Sequence, residues 1–342
     1  MTHATIREIS DQPAAIDAMI DALSDDASQL GESVSPGSTV CITGCGTSYF
    51  LSLTGAFLLN QRTTSLAIPG GEVTMSPGHL PDRDVDIIIG VSRSGESTDT
   101  ILAIDELKSR YPAAPVIGLT CTKGSELDEV ADVTILSPEG SEESVVMTKS
   151  YSSMLVAFEY LANLVATGDE STATLDGLAT ESQSVLDQAE PIAEELGRQT
   201  DLEKSFFLGT GEYYGLALEG MLKFEEMTLS WTKAYPSLEF RHGPQSIAGE
   251  DTLVTMLVPE RRADLHRGLI EDIGDLGATR FLIGTESALD GLEAEARITV
   301  PQRDVGQTAL HAPPLQYLAY YRAVARGLNP DRPKNLSQVV TF

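Results

Sequence analysis

Cysteine is scarce: only Cys41, Cys45 and Cys121 occur in 342 residues. They lie in or beside apolar runs without paired metal spacing, so disulfides and zinc are not expected, and each reads as a small buried hydrophobe. Long apolar runs are missing too. No stretch approaches a bilayer span, and the N-terminus, with Asp11, Asp17 and Asp21, lacks the basic-then-apolar order of a signal peptide. A cytoplasmic chain with no membrane partner is expected. Bases are few, 23 against 51 acids for a net charge of −28, with arginine preferred over lysine. That surface repels nucleic acid, so no nucleic-acid partner is expected. Dispersed acidity on a well-patterned chain also suits salt-accumulating cells, where ions screen self-repulsion, and a halophilic source is expected. Equal resistance to unfolding in low and molar salt would refute it.

What is present has the length of two ordinary domains. The apolar run Val85–Val91 leads into Ser92-Arg93-Ser94-Gly95-Glu96-Ser97-Thr98-Asp99-Thr100 and then an amphipathic stretch, Ile101 to Ser109. Strand, hydroxyl-rich turn and helix follow in order. A helix start offers unpaired N–H groups and the positive end of the macrodipole, so this turn suits a phosphate. Its plain alternative is an N-cap with a capping box from Ser94, Ser97 and Asp99.

The chain also repeats itself. Thr39–Thr43 leads into Gly44-Cys45-Gly46-Thr47-Ser48-Tyr49, and Ser205–Leu208 leads into Gly209-Thr210-Gly211-Glu212-Tyr213-Tyr214, an offset of 165 residues (209 − 44). The same shift carries Ile87–Val91 onto Thr252–Met256, Val116–Leu119 onto Phe281–Gly284, and Val133–Leu136 close to Ile298–Val300. Continuous apolar strands alternating with helix-length segments predict an α/β chain of two tandem doubly wound, flavodoxin-like parallel-sheet domains. Ligands of such sheets bind at the carboxyl ends of the strands, where both turns lie. A dinucleotide fingerprint is disfavoured, because Gly44-x-Gly46 lacks its third glycine. Copy two carries Pro259-Glu260-Arg261-Arg262 in place of the serine turn.

Copy two holds the candidates for chemistry. Over Leu216–Leu229, Glu219, Lys223 and Glu226 fall at i, i+4 and i+7 on one helix face, whereas Ala217, Met221 and Phe224 point towards the sheet. From spacing alone these charges suit an exposed ion pair worth about 0.2–0.5 kcal/mol as well as a site. Farther on, His242 in Arg241-His242-Gly243-Pro244 sits in a backbone-fixed turn suited to acid–base work, whereas His3, His79, His266 and His311 stand in less constrained contexts.

Together, Gly44-Cys45-Gly46-Thr47-Ser48, Ser92-x-Ser94-Gly95-Glu96-Ser97-x-Asp99-Thr100, Met147-Thr148-Lys149-Ser150-Tyr151, Glu219-Gly220-x-Leu222-Lys223-x-x-Glu226 and Arg241-His242-Gly243-Pro244 resemble the SIS (sugar isomerase) family. The resemblance runs from Arg7 to Val339 and includes both the isomerase half of glucosamine-6-phosphate synthases and stand-alone archaeal glucosamine-6-phosphate deaminases. It implies that Ser48, Ser92, Arg93, Ser94 and Ser97, with Thr47 nearby, bind the substrate's phosphate. It assigns Glu226 the proton transfer between sugar C1 and C2, Lys223 polar support and His242 ring opening, with the histidine commonly supplied across a homodimer. Glu219, Met147, Thr148 and Gln338 would also belong to the substrate site, and neither metal nor cofactor is implied. The synthases' glutaminase domain has no counterpart here, and Gln338 stands where they use a Schiff-base lysine, so that imine cannot form.

The resemblance implies a helical segment at 1–34, a phosphate-binding domain at 35–180, a catalytic domain at 181–330 and a tail at 331–342 closing over the site. It favours conversion of glucosamine 6-phosphate and water to fructose 6-phosphate and ammonia. Plain aldose–ketose isomerisation, a glutamine–fructose-6-phosphate aminotransferase subunit lacking its glutaminase, and a non-catalytic sugar-phosphate sensor are the alternatives.

Overall fold

The structure, a computed structural model, describes residues 3–341 apart from the side chain of His79; Met1, Thr2 and Phe342 lie outside the description. Helices α1 (Ala4–Ser10) and α2 (Gln12–Ser33) precede a run of β1 (Thr39–Gly44), α3 (Thr47–Leu59), β2 (Thr64–Pro69), α4 (Gly70–Met75), β3 (Ile87–Val91), α5 (Thr98–Arg110), β4 (Val116–Thr120), α6 (Glu126–Val130), β5 (Val133–Leu136) and α7 (Lys149–Thr167). After α8 (Leu178–Gly197) the pattern returns as β6 (Lys204–Gly209), α9 (Glu212–Thr228), β7 (Thr232–Pro236), β8 (Thr252–Val258), α10 (Ala263–Asp275), β9 (Thr279–Gly284), α11 (Glu286–Leu289), β10 (Ala296–Thr299) and α12 (Ala312–Ala325).

The strands form two parallel five-stranded sheets, ordered β2-β1-β3-β4-β5 and β10-β9-β8-β6-β7. Read from its β7 edge, the second repeats the first, so the duplication holds at the level of topology. Central strands β3, β4 and β8 are buried throughout, as expected of apolar runs covered on both faces. Four strands per copy were legible in the sequence, and each sheet adds a fifth at its edge. These are β2, where Thr64 and Leu66 are exposed, and β7, which opens Thr232-Lys233-Ala234 and is buried only at Thr232. An edge strand needs no continuous apolar run, and its closing proline leaves no central ladder bond unmade.

The chain separates into two compact units that are not simple halves of the sequence. One contains residues 11–142, 149–179 and 337–342; the other contains 1–10, 143–148 and 180–336. In the first, Ile88, Ile104, Leu107 and Val116 belong to one core cluster, and α7 packs against α2 and α3. In the second, Phe206, Phe240, Val254, Met256 and Leu282 lie in a core cluster, and α12 packs along α9. Buried Arg322 of α12 donates to the carbonyls of Leu196 and Gly197, acceptors left open at the end of α8, and to that of Leu202 beyond it. The short segment 143–148 is held in this unit by Glu8, whose carboxylate accepts the Glu143 and Ser144 N–H groups and the Ser144 hydroxyl.

All three cysteines are free. Cys41 and Cys121 are buried, their thiol pKa values pushed up to about 12 by burial. Cys45 departs from the expectation: it is half-buried and accepts a hydrogen bond from Thr100 Oγ1 at 3.7 Å. No described helix is long and apolar enough to cross a membrane, and no described group of three or more His, Cys, Asp or Glu could hold a metal ion.

Candidate functional site

In the first unit, neighbouring strands β1 and β3 each run into a 13-residue helix. β1 ends on Gly44, where a Cβ would lie 2.9 Å from the Val91 carbonyl oxygen and 3.0 Å from Ser48 Cβ; glycine lets the start of α3 close on the end of β3. Gly46 turns the chain at φ 55, and Thr47 and Ser48, both buried, open α3. After β3, Ser92 Oγ accepts the Gly95 N–H at 3.1 Å and donates to Ser97 Oγ at 3.4 Å, while Ser94 Oγ accepts the Glu96 N–H at 3.1 Å. Gly95 is confined, since at φ 69 a Cβ would fall 2.0 Å from Ser125 Oγ.

Ser97 stands at the N-cap of α5, but its hydroxyl makes no capping bond, so the plain helix-cap reading fails at this residue. The loop's acid, Glu96, accepts the Glu126 N–H at the start of α6. Two helix starts and the hydroxyls of Ser48, Ser92, Ser94 and Ser97 therefore collect at one end of the sheet. Fixed dipoles and short donors are what an oxyanion needs.

Arg93 has other partners than the expected phosphate. Its Nη1 donates to Glu142 Oε2 at 3.0 Å, with side-chain exposures of 9% and 0%, and its Nη2 donates to the Gln338 carbonyl at 3.2 Å. Glu142 also accepts from the Ser150 hydroxyl at 2.6 Å and from the Ser150 N–H, at the start of α7. Gln338 Nε2 returns a bond to the Glu142 carbonyl at 2.7 Å, and the Thr98 N–H donates to the Val340 carbonyl at 3.4 Å. The tail is thus tied to both flanks of the serine turn. Glu142 was not a candidate from the sequence; a lone acid 49 residues from its arginine leaves no local signal.

In the second unit, α9 starts after Gly211 at φ 66, the counterpart of Gly46. Its charged triad is buried, not exposed: side-chain exposure is 2% for Glu219, 1% for Lys223 and 19% for Glu226. Lys223 Nζ donates to Glu226 Oε2 at 2.5 Å and stands 3.4 Å from Glu219 Oε1. The surface ion-pair reading is corrected by this burial; on the neighbouring face α9 packs closely, and at Gly220 a Cβ would meet Leu315 of α12 at 3.1 Å and Phe207 of β6 at 2.9 Å. One buried ammonium between two carboxylates is costly to desolvate, and such clusters concentrate at functional sites. Glu226, the most accessible of the three, is held in place by Lys223 and can exchange a proton with a ligand.

His242 is exposed, and among the described residues its imidazole has no hydrogen-bond partner. Its neighbour Phe240 is buried against Phe206 at a ring distance of 5.0 Å, and Gly243 turns at φ 126. The other described histidines are more constrained than expected. His311 and His266 are buried with Nδ1 at the Gln307 and Arg262 carbonyls, and His3 Nδ1 lies 3.1 Å from the Tyr320 hydroxyl. Met147 and Thr148 are buried in this unit, where the Thr148 carbonyl accepts from Gln316 Nε2 at 3.1 Å.

A SIS domain model matches residues 35–164. Over 351 residues the chain is 30% identical to a glutamine–fructose-6-phosphate aminotransferase [isomerizing] of Pyrobaculum aerophilum, covering 99% of this chain and 57% of that protein. A Clostridium tetani protein of the same name is 31% identical, at 99% and 59% coverage; the chain spans under two thirds of both relatives. The crystal structure of a Thermotoga maritima glucosamine-6-phosphate deaminase matches at 31% identity and a TM-score of 0.80, over 99% of this chain and 100% of that one. An Escherichia coli tagatose-6-phosphate ketose/aldose isomerase shares the fold, with a TM-score of 0.83 at 22% identity over 97% and 95% of the two chains. The fold and these relatives define an enzyme of tandem parallel α/β domains. The chain belongs to the SIS family, whose phosphosugar isomerases share this architecture.

Proposed function

We propose that the protein is a glucosamine-6-phosphate deaminase. The observation that carries the reading is the buried Lys223–Glu226 pair, a preformed base on a chain that aligns end to end with the Thermotoga maritima deaminase. The first unit anchors the phosphate through Ser48, Ser92, Ser94 and Ser97 at two helix starts, with Thr47 beside them. Arg93, already paired with Glu142, braces the turn and the tail.

The acid–base groups of this reading are Glu226, His242 and Lys223. His242 moves a proton at the ring oxygen and opens the sugar to its aldehyde. Glu226 takes the proton from C2, leaving a cis-enolamine with nitrogen on C2, and returns it to C1, giving the C2 imine. Water adds at C2, the carbon–nitrogen bond breaks, and ammonia leaves fructose 6-phosphate. Lys223 keeps the Glu226 carboxylate oriented, and Glu219 balances the ammonium. Gln338 cannot form an imine with the ketose, which separates this reading from the synthase reaction that the curated relatives' names suggest.

Incubation with glucosamine 6-phosphate, galactosamine 6-phosphate and glucose 6-phosphate, with ammonia and ketose phosphate measured separately, tests the assignment. Stoichiometric ammonia and ketose from an amino sugar are expected. Ketose without ammonia from every substrate would make it an aldose–ketose isomerase, binding without turnover a sensor, and amination dependent on an added glutaminase a synthase subunit.

A further inference from the structure

His242 lies on a segment with few ties. Beyond buried Phe240, residues 241–247 are exposed or half-buried, and the turns at Gly243 and Gln245 close only on themselves. At the far end, Lys204 donates to the Ile247 carbonyl. Beside His242, the side chain of Arg241 reaches α10, where its Nη2 meets Asp272 Oδ2 at 2.6 Å. The helix is shaped for this contact. Gly268 occupies its middle, a position where glycine costs a helix stability relative to alanine, and a Cβ there would lie 3.2 Å from Arg241 Nη2. The other glycine of α10, Gly274, similarly lies under Arg280, with a Cβ 2.4 Å from Nη1. Both glycines of the helix thus lie under a guanidinium.

We propose that Arg241, seated on Gly268 and paired with Asp272, is a positioning residue that fixes the conformation of His242. This deepens the function proposed above and rests on it for its catalytic consequence. In this role Arg241 need not touch substrate. It holds the backbone next to the imidazole, so that the ring is presented in one pose. An arginine is suited to this because its planar fork is pre-organised, whereas lysine offers a point charge on a flexible stem. A reacting group misplaced by about 1 Å costs on the order of 10²-fold in rate.

The test compares Asp272→Asn, Arg241→Lys and Gly268→Ala with His242→Asn. Ammonia release from glucosamine 6-phosphate is followed together with the Cε1–H NMR signal of His242 in each variant that retains the histidine. Asp272→Asn and Arg241→Lys are expected to lower kcat by about 10- to 100-fold with KM changed less than twofold, and to shift or split the His242 signal. Gly268→Ala, which would move the guanidinium by only a few tenths of an ångström, should act in the same direction but more weakly, although it leaves both charges in place. Unchanged kcat and an unmoved His242 signal in Asp272→Asn and Arg241→Lys would overturn the proposal. Wild-type turnover in His242→Asn would instead overturn the assigned role of the histidine. The NMR signal would still decide whether the pair fixes the ring.

Discussion

The two copies put opposite chemistries on one scaffold. Helices α5 and α10 are offset by 165 residues at both ends, yet the turns before them differ throughout. Where copy one has Thr47, Ser48, Ser94 and Ser97, copy two has Glu212, Tyr213, Pro259 and Arg262. Where copy two has Glu219, Lys223 and Glu226, copy one has Thr54, Leu58 and Gln61. The shared parts are those the fold requires: Gly46 and Gly211 turn into the first helix at φ 55 and φ 66, and Gly55 and Gly220 let that helix pack closely. Duplication preserved the glycines that permit close approach and freed the polar positions to diverge. In the function proposed above, one copy holds the anion and the other handles the proton.

This division predicts that lesions in the two copies separate kinetically. The largest effect is expected from Glu226→Gln, which should lower kcat by roughly 10²- to 10⁴-fold while leaving KM nearly unchanged, because only the proton transfer is lost. A rise in KM with intact kcat would put Glu226 in binding and erase the contrast. Lys223→Met should also abolish turnover and, by leaving two buried carboxylates without their ammonium, destabilise the chain by about 3–5 kcal/mol. Chemical denaturation gives the second number. A variant as stable as wild type would mean that the triad is not buried as described.

In copy one the effect should fall on binding. Ser94→Ala and Ser97→Ala each remove one neutral donor to a charged phosphate, a bond worth about 1.5–3 kcal/mol, so KM should rise by roughly 10- to 100-fold with kcat little changed. Titration with inorganic phosphate as a competitive inhibitor checks the same point without chemistry. If the serine variants bind phosphate as wild type does, the anion is held elsewhere.

Acid should also distinguish the copies. By the 165-residue offset, His266 and His311 of copy two stand where copy one has Ile101 and Val146. Burial holds both histidines below their ordinary pKa, His311 at about 4. A histidine kept neutral in the fold binds its proton more readily when unfolded, so its stabilising contribution is present above about pH 6.5 and declines as pH falls towards about 4. Amides of β6 and β8 are therefore expected to lose hydrogen-exchange protection between pH 7 and 5 sooner than those of β1 and β3. His266→Ile should flatten that dependence, and equal loss in both sheets would break the contrast.

What was legible in the sequence followed from how local each interaction is. The central strands announced themselves as apolar runs because both faces are covered, and the edge strands β5 and β10 kept short apolar runs, whereas β2 opens on exposed Thr64 and β7 on Thr232-Lys233, which edge positions tolerate. The serine turn was legible because its donors fall within six residues, Ser92 to Ser97. For α9, spacing placed three charges on one face but could not tell whether water or protein covered it. The tail anchor and the histidine seat were invisible for a different reason. Arg93 finds Gln338 across 245 residues, and Arg241 finds Asp272 on another helix, so the partners are brought together only by the fold.

The smallest expected effect is the sharpest test of the contrast. At the position of Gly95, copy two carries Glu260, and its carboxylate accepts from Thr285 Oγ1 at 2.8 Å, Ser287 Oγ at 2.7 Å and Gln302 Nε2 at 3.0 Å. Donors that could meet a ligand's oxyanion are thus occupied by the protein's own. Removing that carboxylate in Glu260→Ala should leave kcat and KM within twofold of wild type and cost about 1 kcal/mol or less, since Glu260, Ser287 and Gln302 are exposed and buried Thr285 keeps its contact with Ser287. The informative readout is the rise in melting temperature with added phosphate. In wild type it should report copy one alone and disappear in the Ser94→Ala/Ser97→Ala double variant. If adding Glu260→Ala to that double variant restores the rise, copy two retains an anion site that its own glutamate fills, and the copies differ there by one side chain. If no rise returns, the difference lies deeper, in Pro259 and in the left-handed Arg262 at φ 57 that reshapes the start of α10.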